Sequence, residues 1–345
     1  MLNEAQEAHS STIDSIINTD LKLEPSQRIC PESPCVSVIV PNWNGINFVG
    51  MCLDSLAQLH FENFEVILVD NGSTDGSREL IEEKYPWVRL RKLPHNMGFA
   101  IACNEGIKTS NAKYVVLLNN DIEVTPDWLT ELYDGMERHP ECGMGTTKMM
   151  FLDNRDVFYN TGDLFHSWSA GGGRGQGEKD IGQYDMENYI FGACAGAGIY
   201  RKELFNQIGL FDEDFFIFAE DVDLNMRSQL QGFQAVYLPK SKVYHIGTAT
   251  VGLYSDRYVY LCKRNDIWVF VKNYSLKMYF KYLRSIWKHQ FADIKYFTYR
   301  GQGNVLFKSK WDALKLLPKM LFRRFQIQRT RTASDFEIQK HIITD

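Results

Sequence analysis

Four polar clusters, each directly after an apolar run, are rich in Asn, Asp and Gly, residue types that can line a ligand site. They are Pro41-Asn42-Trp43-Asn44-Gly45, Asp70-Asn71-Gly72-Ser73-Thr74-Asp75, His95-Asn96-Met97-Gly98-Phe99 and Asn119-Asn120-Asp121. Each alone is ordinary turn chemistry; four in succession favour a ligand site. Asp70 suits hydrogen bonds from a ribose or a base. Asp121 suits a hard divalent cation held by oxygen ligands and substrate phosphates, although a lone Asp is also a common cap or turn residue. A further acidic cluster, Glu220, Asp221 and Asp223, follows the aromatic-rich run from Phe211. Carboxylates beside aromatics lose hydration and become useful general bases; acidic residues equally favour a helix N-terminus. His245 ends the apolar pair Val243-Tyr244, a place for a metal ligand or for a structural histidine. No GxGxxG follows the first run and no GxxxxGK[ST] occurs, which argues against a dinucleotide fold.

These clusters need a frame. The β-branched run Val36–Val40, then Val66–Val69, Val88–Leu93 and Tyr114–Leu118, read as strands. Helical spacing lies between them, at Phe48–Leu59, Ser77–Lys84 and Gly98–Thr109, and continues at Asp127–His139. Such alternation predicts an α/β fold with a mostly parallel sheet flanked by helices, binding ligands beyond the C-terminal strand ends. Residues 151–190 read as irregular. The run Ala170–Gly177 reads as a mobile glycine loop, either a lid or a plain surface loop. Helical and strand signals return from Glu187 to His245.

The chain has 345 residues, 44% hydrophobic and 23% charged, which excludes a wholly disordered chain. Seven scattered cysteines without a CxxC predict a reducing compartment. The N-terminus carries no apolar signal region, and no apolar run approaches the length of a membrane span. Net charge is −5, but residues 257–331 hold 18 Lys and Arg against 3 Asp and Glu. Apolar and basic residues at helical spacing, as in Trp268–Trp287 and Leu314–Phe325, suit a membrane interface; a helical cap or a dimer interface is the alternative. Nucleic acid is not expected, since no binding motif accompanies the charge. The domains expected are a leader over 1–34 with a short helix near Ile13–Ile17, a catalytic domain over 35–255, and a C-terminal basic helical appendage over 256–345.

The segments VSVIVPNWNG (36–45), EVILVDNGSTDGS (65–77), NMGFAIACNEGI (96–107), YVVLLNNDIEVTPDWL (114–129), GACAGAGIYRKELFNQIGLFDEDFFIFAEDVDLNMR (192–227) and VYHIGTATVG (243–252) together resemble the family 2 glycosyltransferases of GT-A fold. The resemblance is to the rhamnosyltransferase-like branch of surface-polysaccharide synthesis. It implies a nucleobase pocket at Pro41 and Asn42, a base contact at Asp70, and nucleotide-sugar contacts at Asn44, Asn119 and Asn120. It implies a strip along the nucleoside and diphosphate at Asn96, Gly98 and Asn104. Asn119-Asn120-Asp121 stands where the family carries its DxD-type motif, with Asn119 in place of the first Asp. Asp121 and His245 would then hold Mg2+ or Mn2+. Glu220-Asp221 matches the family's ED pair, whose Asp is the catalytic base. Arg264 and Asn265 resemble a polar pair near the phosphates, and Gly192–Gly198 the segment near the donor sugar and acceptor. The resemblance further implies inverting, non-processive transfer of rhamnose or a hexose from a nucleoside-diphosphate sugar to a glycan or polyprenyl-linked acceptor. The cysteine usage and the basic amphipathic helices place the protein in the cytoplasm, peripheral at the inner face of the cell membrane, with a homodimer as the other use of those helices. Two other readings are a non-catalytic nucleotide-sugar-binding or scaffold subunit, favoured by Asn119, and a nucleotidyltransferase, opposed by the lack of a basic residue after the first strand.

Overall fold

The computed structural model describes residues 31–168, 171–247, 252 and 254–344. The short helix expected near Ile13–Ile17, and most of the leader, lie outside the described residues. The expected alternation holds through the first third. Strands β1 (Val36–Asn42), β2 (Phe64–Asp70), β3 (Arg89–Lys92) and β4 (Tyr114–Leu118) are separated by helices α1 (Val49–Ala57), α2 (Ser77–Lys84) and α3 (Phe99–Thr109). They pair in parallel in the order β3-β2-β1-β4. Alternate side chains leave a strand on opposite faces, and here both faces are apolar. Val36, Val38 and Val40 join one core with Leu53 of α1 and Ile81 of α2, while Ile39 joins another with Cys103 and Ile107 of α3. That double burial is why β1, β2 and β4 are almost continuously hydrophobic, whereas the edge strand β3, Arg-Leu-Arg-Lys, is largely exposed.

Beyond β4 the sheet becomes mixed. After β5 (Ile122–Val124) and α4 (Trp128–Arg138) come β6 (Cys142–Phe151), β7 (Phe158–Asn160), β8 (Phe165–His166), β9 (Asn188–Ile190) and β10 (Ala197–Arg201). Strand β10 inserts antiparallel between β4 and β6. Strand β11 (Gln234–His245) runs parallel to β6, with a register shift between Leu238 and Lys242. Pro239 lies in that shift, where it has no N–H to give to a ladder. The parallel sheet expected from the sequence is thus its first four strands. Strand β6 is an addition: CGMGTTKMMF has two glycines and no β-branched run beyond its Thr pair.

The glycine loop is fastened rather than free over its described part, 171–177. Arg174 donates to the Thr161 side chain and carbonyl, and its guanidinium lies 4.9 Å and 4.7 Å from the Tyr184 and Tyr237 ring centres. It does not line the cleft described below.

Helices α5 (Lys202–Ile208) and α6 (Glu220–Leu230) lead to the C-terminal helices α7 (Asp256–Asn273), α8 (Leu276–Tyr299), α9 (Gly303–Lys315), α10 (Leu317–Thr330) and α11 (Asp335–Gln339). These share a third core with α6: Trp268 and Val269 of α7 pack with Val222 and Met226 of α6 and with Phe165 and Phe215. Buried charges lock the joint. Lys272 reaches Asp212 at 2.5 Å and Asp223 at 2.8 Å, and Arg323 reaches Asp212 at 2.5 Å. Burial pushes Asp223 up, but Lys272 and Arg227 outweigh it and hold its carboxyl at about 2. Buried ions persist only when paired this closely. The chain end returns as β12 (Ile342–Ile343), paired with β8. Among the described residues no cysteine is in a disulfide, and no helix is long and apolar enough to cross a membrane.

Candidate active site

The tips of β1, β2 and β4 form one edge, tied by side-chain amides. Asn42 accepts from Asn120 Nδ2 at 2.7 Å and donates to Ser77 Oγ at 3.0 Å. Asn71 donates to Asn96 Oδ1 at 3.1 Å, and its own oxygen accepts from Met97 N at 2.8 Å. Glycine is required at two joints. A Cβ on Gly72 (φ +74°) would lie 2.3 Å from the His95 backbone, and one on Gly98 (φ +97°) 2.7 Å from the Phe216 carbonyl. Gly98 therefore lets α3 approach the 216–219 segment, and the Ala100 N–H donates to that same carbonyl.

Asp121 sits just past this edge, between β4 and β5. His245 closes β11, opposite Ile122. Both are buried, and His245 Nε2 lies 3.0 Å from Asp121 Oδ1. The Tyr159 ring stands edge-on at 4.4 Å and fixes the imidazole plane. The pair fits a divalent cation: two ligand atoms at about 2.1 Å on adjacent octahedral vertices lie about 3.0 Å apart. The neighbouring Asn119 amide oxygen is also of a type that hard cations accept.

The second half of the site is the N-terminus of α6. Three non-glycine residues before it hold left-handed backbones: Phe216 (φ 68°), Phe218 (φ 73°) and Ala219 (φ 62°). Such conformations cost about 1–3 kcal/mol each and persist only when their surroundings enforce them. Asn265 does so from α7, its Nδ2 donating to the carbonyls of Phe215, Ile217 and Phe218 at 3.0, 3.0 and 2.7 Å. Arg264 adds bonds to the carbonyls of Asp214 and Phe215. This strap aims Asp221 into the cleft, where Oδ1 accepts from Val222 N at 2.8 Å.

Three carboxyls gather here, Glu220, Asp221 and Asp163. Burial raises the Asp221 carboxyl above its ordinary value, opposed by backbone hydrogen bonds from Val222 and Ala195. Glu220 and Asp163 are pushed well above theirs, by burial and then by the charge on Asp221. All three carboxyls are thus pushed upward, and the charged form of Asp221 is the one favoured by backbone N–H groups of Val222 and Ala195. One Glu220 oxygen is buried without a partner. A stability prediction follows. The folded protein holds the Glu220 proton above the unfolded value of about 4.3. Wild type thus loses stability as pH rises from there toward the raised value. Glu220→Gln should match wild-type melting near pH 4 and melt several degrees higher at pH 8. Equal melting at pH 8 would show that Glu220 is not held protonated.

Both halves open on one cleft of about 310 Å³. Of the residues expected from the sequence, Pro41, Asn42, Asn96, Asn119, Asn120, Asp121, Glu220, Asp221 and His245 line it. Five do not. Asn44 caps the neighbouring turn, accepting from Thr74 N at 2.9 Å. Asp70 is wholly buried at the tip of β2, with one oxygen unpartnered. Gly98 lies against the strap. Asn104 is bonded to the backbone N–H and carbonyl of Phe211 and lies away from the cleft. Arg264 holds the strap and stacks on Trp268, its guanidinium 4.4 Å from the ring centre.

The sequence reading assigned no role to Tyr159, Phe216 or Arg257, all of which line the cleft. Arg257 is the one Lys or Arg among the described lining residues, and lies within 5.8 Å and 5.5 Å of the Trp43 and Phe216 ring centres. Its signal was available: it opens α7 just after the His245 motif. Asn265 lines nothing yet orders the strap. Asn265→Ala should lower kcat by about 10²-fold, the scale of a 1 Å misplacement, with donor binding nearly unchanged. Unchanged turnover in single-turnover assays would remove that positioning role.

The comparisons with known proteins bear on the family and the fold. The sequence model of glycosyl transferase family 2 matches residues 37–209. The O-antigen biosynthesis protein RfbC of Myxococcus xanthus is 30% identical over 228 residues, covering 63% of this chain but only 18% of that protein. The N-acetylglucosaminyl-diphospho-decaprenol L-rhamnosyltransferase of Mycobacterium tuberculosis is 26% identical over 238 residues, covering 59% of this chain and 76% of that enzyme. Among solved structures, GalNAc-T7 with UDP, GalNAc and Mn2+ superposes with a TM-score of 0.58 at 14% identity, over 78% of this chain and 56% of that one. TarS of S. aureus, residues 1–349, gives 0.51 at 20% identity, over 86% and 89%. Identities this low speak for the GT-A fold alone, whereas the family model spans half of the sequence. The chain thus belongs to glycosyl transferase family 2.

Proposed function

We propose that this enzyme transfers a single rhamnose or hexose, with inversion, from a nucleoside-diphosphate sugar to a glycan or polyprenyl-linked acceptor in surface-polysaccharide synthesis. The observation that carries the reading is the shared cleft: the Asp121–His245 pair and the Asp221 carboxylate face one space beyond the strand tips. Pro41, Asn42 and Asn96 lie where a nucleobase and ribose would seat, with Asn44, Asp70, Gly98 and Asn104 shaping the turns and helix behind them. Asp121 and His245, with Asn119 and Asn120 beside them, would hold Mg2+ or Mn2+. When bound, that cation supplies Lewis-acid neutralisation of the diphosphate. The GalNAc-T7 structure contains Mn2+, which supports a divalent ion. Arg257, the cleft's cation, supplies further charge to the same phosphates, a role the sequence reading gave to Arg264.

Asp221 accepts the proton of the acceptor hydroxyl as that oxygen attacks the anomeric carbon. The bond to the diphosphate oxygen breaks on the opposite face, so configuration inverts. The backbone N–H groups of Val222 and Ala195 favour the charged form of Asp221 for that role. The acceptor places the work at the inner face of the cell membrane; the name of the mycobacterial relative supports a lipid-diphosphate acceptor. The test is incubation with dTDP-rhamnose, Mn2+ and a polyprenyl-diphosphate N-acetylglucosamine acceptor, read by mass spectrometry and NMR. One added sugar with inverted anomeric configuration is expected. Retained configuration, or several sugars added per encounter, would contradict the reading.

A further inference from the structure

The C-terminal helices carry a surface that the catalytic cleft does not use. Helix α8 is about 36 Å long at 1.5 Å per residue. One face, with Met278, Tyr282, Ile286 and Phe297, is buried against the protein. Another face presents Leu276, Phe280, Trp287, Phe291 and Ile294 to solvent, with Phe280 at 69%, Trp287 at 54% and Phe291 at 64% exposure. At 100° per residue these five fall in one stripe. Lys277, Lys281, Arg284, Lys288 and Lys295 fall in the sector beside it, and all are exposed. Helix α9 repeats the pattern with Phe307, Trp311 and Leu314, exposed at i, i+4 and i+7 beside Lys308 and Lys315. Helix α10 exposes Leu321, Phe322 and Phe325.

A monomer rarely leaves so many large apolar side chains in water without a partner for them. The partner's chemistry is set by charge. From 276 to 330 the sequence holds thirteen Lys and Arg against two Asp, so the partner is anionic where it meets the lysines and apolar where it meets the rings. A bilayer with anionic headgroups offers both, in the order in which α8 presents them: acyl boundary for the aromatic stripe, phosphates for the basic flank. No helix among the described residues can cross a membrane, so the helix lies on the surface. A second copy of this chain would bring an equally basic stripe against this one.

We propose that the exposed face of α8, extended by α9, docks the enzyme on an anionic lipid surface. The inference extends the lipid-linked acceptor proposed above, but its test uses neither donor nor acceptor, so each can fail alone. The full chain would be sedimented with phosphatidylcholine vesicles containing 30% phosphatidylglycerol, and with pure phosphatidylcholine vesicles. Wild type should partition to the anionic vesicles at least tenfold better than to the neutral ones, and less so as salt rises. The variant F280E/W287E/F291E changes only exposed positions. It should lose at least tenfold in partitioning while keeping wild-type donor hydrolysis and melting. A second variant, K281E/R284E, should lose the preference for anionic lipid and keep the same fold. Failure of wild type to sediment with anionic vesicles, or equal sedimentation of the triple variant, overturns the proposal. So does light scattering that shows a dimer which the triple variant converts to monomer, because the stripe then serves a second copy.

Discussion

Asp221→Asn is expected to lower transfer by about 10²–10⁴-fold, the usual worth of a general base, while donor binding stays near wild type. The amide has the shape of the carboxylate and still accepts from Val222 N. It cannot take a proton. The remaining contact, Ala195 N at 3.4 Å from Oδ2, is long, so little structure depends on it. The donor side of the cleft, Pro41, Asn42, Asp121 and His245, is built on β1, β4 and β11 and does not involve this carboxyl. A pH profile gives a second reading of the same claim. Burial raises the Asp221 carboxyl, so wild-type transfer should climb with pH through a limb above the ordinary Asp value of about 3.9. Below that limb Asp221 is protonated and cannot serve. The limb should vanish in Asp221→Asn. Retention of most activity, with the limb intact, would move the base to another group.

Asp121→Asn is expected to lower kcat/KM by about 10²–10³-fold and to abolish its dependence on added metal. Asp121 is the one carboxylate in Asn119-Asn120-Asp121, so no second acid in the triplet can replace it. Lewis-acid stabilisation is worth several kcal/mol, and each 1.36 kcal/mol is a factor of about ten. The substitution keeps a hydrogen-bonding partner for His245 Nε2, because an amide stands where the carboxylate stood. Loss of fold is therefore not expected, and melting serves as the control. His245→Ala should move in the same direction by less. Titration of Mn2+ with a bound nucleoside diphosphate checks both: affinity falls in each variant. Activity in Asp121→Asn equal to wild type, or wild-type activity indifferent to EDTA, would contradict the metal assignment.

How much of this was legible beforehand differs by element. The tips of β1, β2 and β4 were readable because each polar cluster there follows a run that is apolar on both faces, the pattern of a doubly covered parallel strand. Asp121, His245 and Asp221 come together from three distant segments, and only the resemblance joined them in advance. The errors of placement have a common geometry. Arg257 and Arg264 are seven residues apart on α7, two turns along one face, and sequence does not show which turn meets the cleft. Asn104 lies one and a half turns into α3, which carries it away to the Phe211 backbone. The strap was invisible for another reason. Left-handed backbones usually announce themselves as Gly or Asn; here Phe216, Phe218 and Ala219 adopt them because Asn265, forty-odd residues later, holds the carbonyls of Phe215, Ile217 and Phe218. Strand β6 was missed because tertiary pairing with β10 and β11 overrides a weak local propensity.

The helices after residue 255 are bound into the catalytic body as well as basic. Lys272 and Asn273 of α7 pair with Asp223 of α6, so the same helix that orders the strap anchors the catalytic helix from behind. The exposed aromatic stripe of α8 is carried on that scaffold.

Release of nucleoside diphosphate tests the central claim most directly. Wild type and Asp121→Asn would be assayed with dTDP-rhamnose, UDP-glucose, UDP-galactose, UDP-N-acetylglucosamine and GDP-mannose, each with Mg2+, with Mn2+ and with EDTA, alongside calorimetric binding of the same donors. The account predicts that wild type binds one of these donors and slowly hydrolyses it in a divalent cation, and that EDTA or Asp121→Asn silences the reaction. Neither binding nor hydrolysis of any donor by wild type, with Mn2+ present, would contradict it.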